Sequence, residues 1–110
     1  MDYIEVYSLD GCYYSQSLED LLNSKKIKFN LNRVNFDNKD KIKEKNNMNT
    51  FPQVFLNSKN NNYKVGGYDD VNYILNEIKT KKNLDLIIKN INFRTNLDKK
   101  RSIRLINLLL

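Results

Sequence analysis

Histidine and tryptophan are absent from this sequence, and cysteine and proline occur once each. Without histidine the chain cannot carry Cys-His catalysis, a histidine general base or most types of zinc site. The single cysteine, Cys12, cannot form an internal disulfide. We therefore expect a protein of a reducing compartment, and predict a cytoplasmic location.

Long apolar runs are also missing, and none approaches the ~18 residues that a membrane-spanning helix needs. The first residues lead directly into a predicted strand, so we expect no signal segment. The 110 residues are enough for one domain with one hydrophobic core.

The net charge of +6 is distributed unevenly along the chain. Residues 1–80 hold 11 basic and 11 acidic side chains, whereas residues 81–110 hold eight basic and two acidic ones. The sequence therefore predicts a neutral domain at 1–80 and a basic C-terminal extension at 81–110. We expect a chain truncated after Lys82 to fold. The extension could bind an acidic partner, a membrane surface or nucleic acid, or it could be a pair of solvated helices packed on the domain.

Hydrophobic periodicity predicts the order β-α-β-α-β-β-α for residues 1–80. These elements are a strand at 3–7, a helix after Cys12, a strand that alternates from Ile27 to Phe36, a short exposed helix within 37–47, strands at 54–56 and 63–65, and a helix that opens at 66–70. The first three elements imply a right-handed parallel crossover, and the later pair of strands implies an antiparallel hairpin. The predicted fold class is α/β, with a mixed four-stranded sheet and helices on both faces.

Two further helices are predicted in the extension. Asn83 can cap a helix that carries Leu84 and three isoleucines at helical spacing. Thr95 and Asp98 have the spacing of a capping box, which predicts that a second helix opens there.

Cys12 lies where the first strand gives way to the first helix. The first N–H groups of a helix lack internal partners and the helix dipole is positive there, and both effects favour a thiolate over a thiol. We interpret Cys12 as a nucleophile. The alternative is a small buried hydrophobe, which is the more common role of a lone cysteine.

The chain is identified as similar to the glutaredoxins by three features that occur in order along it. They are Cys12 at the first strand–helix junction, Thr50-Phe51-Pro52 before the third strand, and Gly66-Gly67-Tyr68-Asp69-Asp70 at the third helix. The resemblance covers about residues 2 to 80. It implies a thioredoxin-like fold, with glutathione as cofactor and glutathionylated proteins as partners.

The resemblance also implies roles for individual residues. Cys12 matches the family's nucleophile, and Pro52 matches its cis-proline, which would turn the backbone of Phe51 toward the cysteine and the glutathione peptide. The other implied glutathione-binding residues are Tyr14 in the groove and Gly67, Tyr68 and Asp69 at the γ-glutamyl end. Free N–H groups at that helix start suit a carboxylate, and Asp69 suits an ammonium.

The sequence departs from the family pattern at several of these positions. Ser15 stands where dithiol members have a second cysteine, so the resemblance implies a monothiol site. Leu9 stands where many members have a lysine for the glycine carboxylate, and Asn49 where an arginine often precedes the threonine. Lys43 or Lys45 could replace those cations.

The function that this pattern predicts is a glutathione-dependent thiol–disulfide oxidoreductase, an enzyme that acts by a monothiol mechanism on glutathione mixed disulfides. Two alternatives belong to other classes of protein. One is a dimer that binds an iron–sulfur cluster through two Cys12 thiolates and two glutathiones. The other is an interaction module that keeps the redox fold and binds partners through the basic extension.

Overall fold

The computed structural model describes residues 1–110, which form four strands, five α-helices and one short 3-10 helix. In chain order these are β1 (Tyr3–Leu9), α1 (Tyr13–Ser24), β2 (Asn30–Val34), the 3-10 helix (Phe36–Asn38), α2 (Lys39–Asn46), β3 (Gln53–Ser58), β4 (Asn61–Gly66), α3 (Tyr68–Thr80), α4 (Leu84–Thr95) and α5 (Lys99–Leu109). The order β-α-β-α-β-β-α predicted for residues 1–80 is confirmed, and both helices predicted in the extension are present.

The strands form one mixed sheet in the order β2-β1-β3-β4. β1 and β2 are parallel, as the strand-helix-strand crossover requires, and Val6 of β1 lies opposite Leu31 of β2. β1 pairs antiparallel with β3, and β3 pairs antiparallel with β4 as the predicted hairpin. The α/β fold with a four-stranded mixed sheet is therefore confirmed.

Helices cover both faces of this sheet because the side chains of a strand alternate between the faces. On one face, Ile4 and Val6 of β1 belong to a large apolar cluster with residues of α1, α3, α4 and α5. On the other face, Tyr7 and Phe55 form a smaller cluster, against which Ile42 of α2 packs. The candidate site lies at the edge of this second cluster.

The second strand is shorter than its periodicity predicted. β2 contains only Asn30–Val34, while Ile27 is buried ahead of the strand and Phe36 is exposed beyond it. The chain turns at Asn35, whose side chain accepts a hydrogen bond from the N–H of Asn38 and starts the 3-10 helix. Alternation of apolar residues therefore continued past the point where a local cap ends the strand.

The last two helices begin at polar side chains that cap free N–H groups. Asn83 accepts a hydrogen bond from the N–H of Leu86 at the start of α4, as predicted. The capping box predicted at Thr95 does not form, since Thr95 ends α4 and its hydroxyl donates to the carbonyl of Ile91. Asp98 is the cap of α5 instead, accepting from the N–H of Arg101.

The extension shares the core of the rest of the chain. Ile91 and Leu105 are almost completely buried in the same cluster as β1 and α3. Arg104 of α5 also donates hydrogen bonds to the carboxylate of Asp2 and to the hydroxyl of Ser58. The division of the chain at residue 80 stays a prediction. Because of this packing, however, we expect removal of the extension to lower the stability of the protein, which the charge pattern did not indicate.

None of the five α-helices combines the length and the apolar character that crossing a bilayer would require.

Candidate active site

Cys12 is the residue that caps the start of α1. Its backbone is extended (φ −88°, ψ 123°), its N–H donates to the carbonyl of Leu9, and its own carbonyl accepts from the N–H of Gln16. The preceding residue, Gly11, has φ +78°, in the left-handed region that favours glycine. The thiol is partly exposed at the N-terminus of α1, where the first N–H groups have no acceptor within the helix.

The Phe51–Pro52 segment brings a backbone carbonyl to the thiol. The Phe51–Pro52 peptide bond is cis. The Sγ of Cys12 lies 3.8 Å from the carbonyl oxygen of Phe51, within the longer range of a weak hydrogen bond from sulfur. The ring of Phe51 is buried beside Tyr7 and Phe55, which fixes this segment against the sheet. Burial, and secondly the charge of Glu5, raise the pKa of the Tyr7 phenol above its ordinary value.

A groove runs from Phe51 to the start of α3. Its volume is about 290 Å³, and it contains all six residues that the sequence assigned to glutathione binding, together with Thr50 and Asp70. The six are Tyr14, Phe51, Pro52, Gly67, Tyr68 and Asp69. The rings of Tyr14 and Tyr68 lie near each other, with centroids 6.1 Å apart and planes tilted by 45°. Phe51 lines the groove and its carbonyl oxygen contacts the thiol of Cys12, which itself lines a neighbouring cavity.

Gly66 and Gly67, which precede α3, differ in whether a side chain would fit. Gly66 has φ +137°, and a Cβ there would lie 2.1 Å from a carboxylate oxygen of Asp70. That oxygen instead accepts a hydrogen bond of 2.8 Å from the N–H of Gly67. A Cβ on Gly67 would lie 3.5 Å from the carbonyl oxygen of Pro52, which is ordinary contact. Gly66 therefore makes room for Asp70, and Asp70 caps the start of α3.

The cap leaves other N–H groups free for a ligand. The first backbone hydrogen bond of α3 runs from the N–H of Val71 to the carbonyl of Gly67. The N–H groups of Tyr68 and Asp69 precede it and have no acceptor within the helix. Of the three residues predicted to contact the γ-glutamyl group, only Gly67 has an N–H that already donates to another residue, Asp70.

No lysine or arginine lines the groove, whose charged side chains are those of Asp69 and Asp70. Leu9 does not line the groove, and Asn49 is exposed and does not line it either. Lys43 and Lys45, considered above as replacements for the missing cations, do not line it either. The departures noted in the sequence therefore leave the groove acidic.

Ser15 is fully buried, although it stands where a second cysteine would be expected. Its hydroxyl oxygen accepts a hydrogen bond of 3.0 Å from the N–H of Leu9. This bond joins the first turn of α1 to the end of β1. Ser15 therefore stabilises the geometry of the loop that carries Cys12. Because it has no sulfur, it cannot act as a second redox residue.

A charged network beneath Cys12 was missed by the sequence analysis. The buried carboxylate of Glu19 accepts from the hydroxyl of Ser8 at 2.5 Å and from Arg33 at 3.2 Å, and Arg33 lies 3.7 Å from Asp10. Asp10, Glu19 and Arg33 line a second cavity of about 390 Å³ together with Cys12. One signal was available, since positions 15, 18, 19 and 22 share one face of α1 and two of them are polar.

Arg94 of α4 was also missed, and it connects the extension to the groove. Its Nε donates a 2.8 Å hydrogen bond to the Asp70 carboxylate oxygen that does not bind Gly67. Its guanidinium carbon lies 4.4 Å from the centroid of the Tyr73 ring on α3. Nothing in the local sequence pattern pairs two residues that are 24 positions apart.

Comparisons with known proteins agree with this geometry. A family model described as Glutaredoxin matches residues 4–60. A crystal structure of glutaredoxin 1 from Francisella tularensis, complexed with cacodylate, superposes with a TM-score of 0.58 at 18% identity, covering 74% of this chain and 100% of that one. A solution structure of glutaredoxin from Brucella melitensis gives a TM-score of 0.50 at 26% identity, covering 86% and 91%. No curated protein sequence gives a significant match.

Proposed function

The chain belongs to the glutaredoxin family, and from that premise we propose that it is a glutathione-dependent enzyme acting by a monothiol mechanism on glutathione mixed disulfides. Family and fold together support a thiol–disulfide oxidoreductase function. The observation that carries the finer proposal is the position of the Cys12 thiol, 3.8 Å from the carbonyl oxygen of Phe51, a residue that lines the groove of about 290 Å³. The partners we propose are glutathione and glutathionylated proteins.

The groove offers glutathione a set of complementary groups. The backbone of Phe51 can form strand-like hydrogen bonds with the glutathione peptide, and Pro52 and Tyr14 form the walls. The free N–H groups of Tyr68 and Asp69 suit the γ-glutamyl carboxylate, because the start of a helix attracts anions. The carboxylate of Asp69 suits the γ-glutamyl ammonium.

The reaction needs only one protein sulfur. The Cys12 thiolate attacks the glutathione sulfur of the mixed disulfide, a Cys12–glutathione disulfide forms, and the substrate leaves as a thiolate that takes up a proton. The thiolate of a second glutathione then attacks the glutathione sulfur bound to Cys12. Oxidised glutathione is released and the Cys12 thiolate is regenerated. Overall, the protein mixed disulfide is reduced and glutathione is the reductant.

Turnover on a glutathionylated peptide tests this function. The wild-type chain should release the peptide thiol in a glutathione-dependent way, and Cys12→Ser should be inactive because a hydroxyl does not attack a disulfide. Ser17→Ala, a change on the same helix outside the groove lining, is the matched control and should retain activity. Equal rates for the wild type and Cys12→Ser would refute the proposal.

Replacing Ser15 by Cys tests the monothiol part. A protein disulfide attacked by Cys12 leaves a mixed disulfide that only outside glutathione can resolve, whereas a thiol at position 15 would act at an effective concentration of about millimolar or more. Ser15→Cys should therefore gain activity in reducing a model protein disulfide at low glutathione. Ser17→Cys adds a thiol to the same helix at another position and should not gain it. No gain for Ser15→Cys over the wild type would mean that position 15 is not the missing resolving position.

A further inference from the structure

The Asp70 carboxylate joins the groove to the basic extension through its two oxygens. One oxygen accepts from the N–H of Gly67 and the other from Nε of Arg94, both at 2.8 Å. The absence of a side chain on Gly66 leaves the space that this carboxylate occupies. Asp70 is therefore held in one position by contacts on three sides.

This contact changes the charge at the end of the groove that receives the γ-glutamyl group. The groove lining contains Asp69 and Asp70 and no cation. Without Arg94, the uncompensated carboxylates of Asp69 and Asp70 would lie beside the N–H groups of Tyr68 and Asp69. Those N–H groups are the ones that have to bind the γ-glutamyl carboxylate. Arg94 offsets the charge of Asp70, so that Asp69 alone presents a negative charge for an ammonium.

We propose that Arg94 is a positioning and specificity residue for the γ-glutamyl end of glutathione, acting through Asp70. The proposal rests on the function proposed above and deepens it. It assigns a role in the active site to the basic extension, whose other contacts with the rest of the chain lie in the core and at polar side chains away from the groove. Arg94 does not line the groove, so it acts on ligand binding without touching the reacting sulfurs.

The placement of Arg94 fits this role better than a general effect on stability. Its side chain is 36% exposed and is oriented by two residues of α3, since it hydrogen-bonds Asp70 and lies over the Tyr73 ring. A partly exposed ion pair contributes little to folding. The same charge close to a ligand carboxylate changes binding more directly, because it acts over a few ångströms.

Arg101 provides a matched control within the same extension. It is 37% exposed, pairs with Asp98, and lies 4.1 Å from the centroid of the Tyr63 ring. Neither Asp98 nor Tyr63 lines the groove. Arg94→Met and Arg101→Met therefore each remove one positive charge, one contact with a tyrosine ring and one ion pair. Arg101→Met also removes a hydrogen bond to the Tyr63 hydroxyl, and only Arg94→Met removes the contact with Asp70.

The experiment compares two donors of a mixed disulfide. One is a peptide joined to glutathione, and the other is the same peptide joined to cysteinylglycine, which lacks the γ-glutamyl group. In single-turnover reactions of the reduced protein, Arg94→Met should raise the half-saturating concentration of the glutathione donor roughly two- to fivefold. The limiting rate should stay unchanged, and so should both parameters for the cysteinylglycine donor. The effect should shrink as salt is added.

Further variants separate charge from folding. Arg94→Lys keeps the charge and should keep the preference for the glutathione donor. In an Asp70→Asn background, Arg94→Met should have little further effect, because the charge that it offsets is gone. Thermal unfolding of each variant shows whether the protein is folded.

Three results would overturn the inference about Arg94 alone, and a fourth would also refute the proposed function. If the wild type transfers glutathione but Arg94→Met behaves like Arg101→Met, Arg94 has no special role in the groove. An Arg94→Met defect that is equal for both donors, or that Arg94→Lys shares in full, would also overturn it. A wild-type chain with no transfer activity would refute the proposed function itself, and the inference with it.

Discussion

Residues 1–80 and residues 81–110 differ sharply in charge but not in their relation to the core. The first region is electrically balanced and the second carries the whole net charge of +6. Yet Leu105 and Ile91 of the second region lie in the same apolar cluster as Ile4 and Val71 of the first. Charge describes the outer surface of a helix and burial describes its inner face, so a boundary in one property need not be a boundary in the other.

Removing the extension is the strongest test of that difference. Truncation after Lys82 deletes seven buried apolar residues, each worth about 1.5–3 kcal/mol of burial. Their sum is comparable to the whole stability of a domain, about 5–15 kcal/mol, so we expect the truncated chain to lose cooperative unfolding in urea. The charge pattern predicts the opposite. A truncated chain that unfolds cooperatively and retains activity would support a domain boundary at residue 80.

A single substitution in the extension should show the same coupling on a smaller scale. Leu105 is 1% exposed, and Leu105→Ala should lower the free energy of unfolding by about 2–5 kcal/mol. Leu110→Ala, at an exposed position of the same terminus, should change it by less than about 0.5 kcal/mol. Equal effects of the two changes in urea unfolding would show that α5 is not part of the core.

In the first region, the buried charge beneath Cys12 should matter more than an exposed charge beside it. Glu19→Gln weakens the hydrogen bonds from Ser8 and Arg33, and we expect a loss of about 1–3 kcal/mol. Asp20→Asn alters an exposed contact with Gln16 on the same helix and should cost less than about 0.5 kcal/mol. Chemical denaturation of both variants measures the contrast. A Glu19→Gln variant as stable as Asp20→Asn would exclude a structural role for the network.

The smallest effects should come from surface lysines at the ends of two helices, one helix in each region. Lys99 and Lys100 lie in the first turn of α5, where cations oppose the helix dipole. Replacing both by Gln should therefore change stability by about 0–0.5 kcal/mol, in the stabilising direction. Lys43 and Lys45 lie in the last turn of α2, where the same replacement should be slightly destabilising. Urea midpoints of the two double variants should shift in opposite directions, and shifts of the same sign would contradict this account.

The sequence alone predicted the order of the elements because each has its own period. Val71, Ile74, Leu75 and Ile78 recur at helical spacing and lie in α3, and Ile4 and Val6 alternate with polar residues in β1. The boundaries were less accurate. Phe36 continued the alternation of β2, but the Asn35 side chain caps a 3-10 helix there, and a competing local hydrogen bond is not visible in a periodic pattern.

The candidate site was predictable where it depends on local backbone chemistry. Three residues were recognised from the elements next to them in the chain. They are Cys12 at a strand–helix junction, Pro52 before a strand and Gly66 before a helix. The structure places the predicted groove residues together, and whether they bind glutathione stays a proposal.

What only the tertiary structure decided are the contacts between distant positions. A helical period shows that Ile91 faces inward, but it does not show which residues Ile91 contacts. The pairing of Arg94 with Asp70 and of Glu19 with Arg33 depends on how α4 lies on α3 and how α1 lies on the sheet. The sequence thus determined the elements and the positions of special residues, because these follow from interactions within a few residues. Packing decided which charges meet and that the basic extension is part of the core, because the area buried between elements is a property of their arrangement.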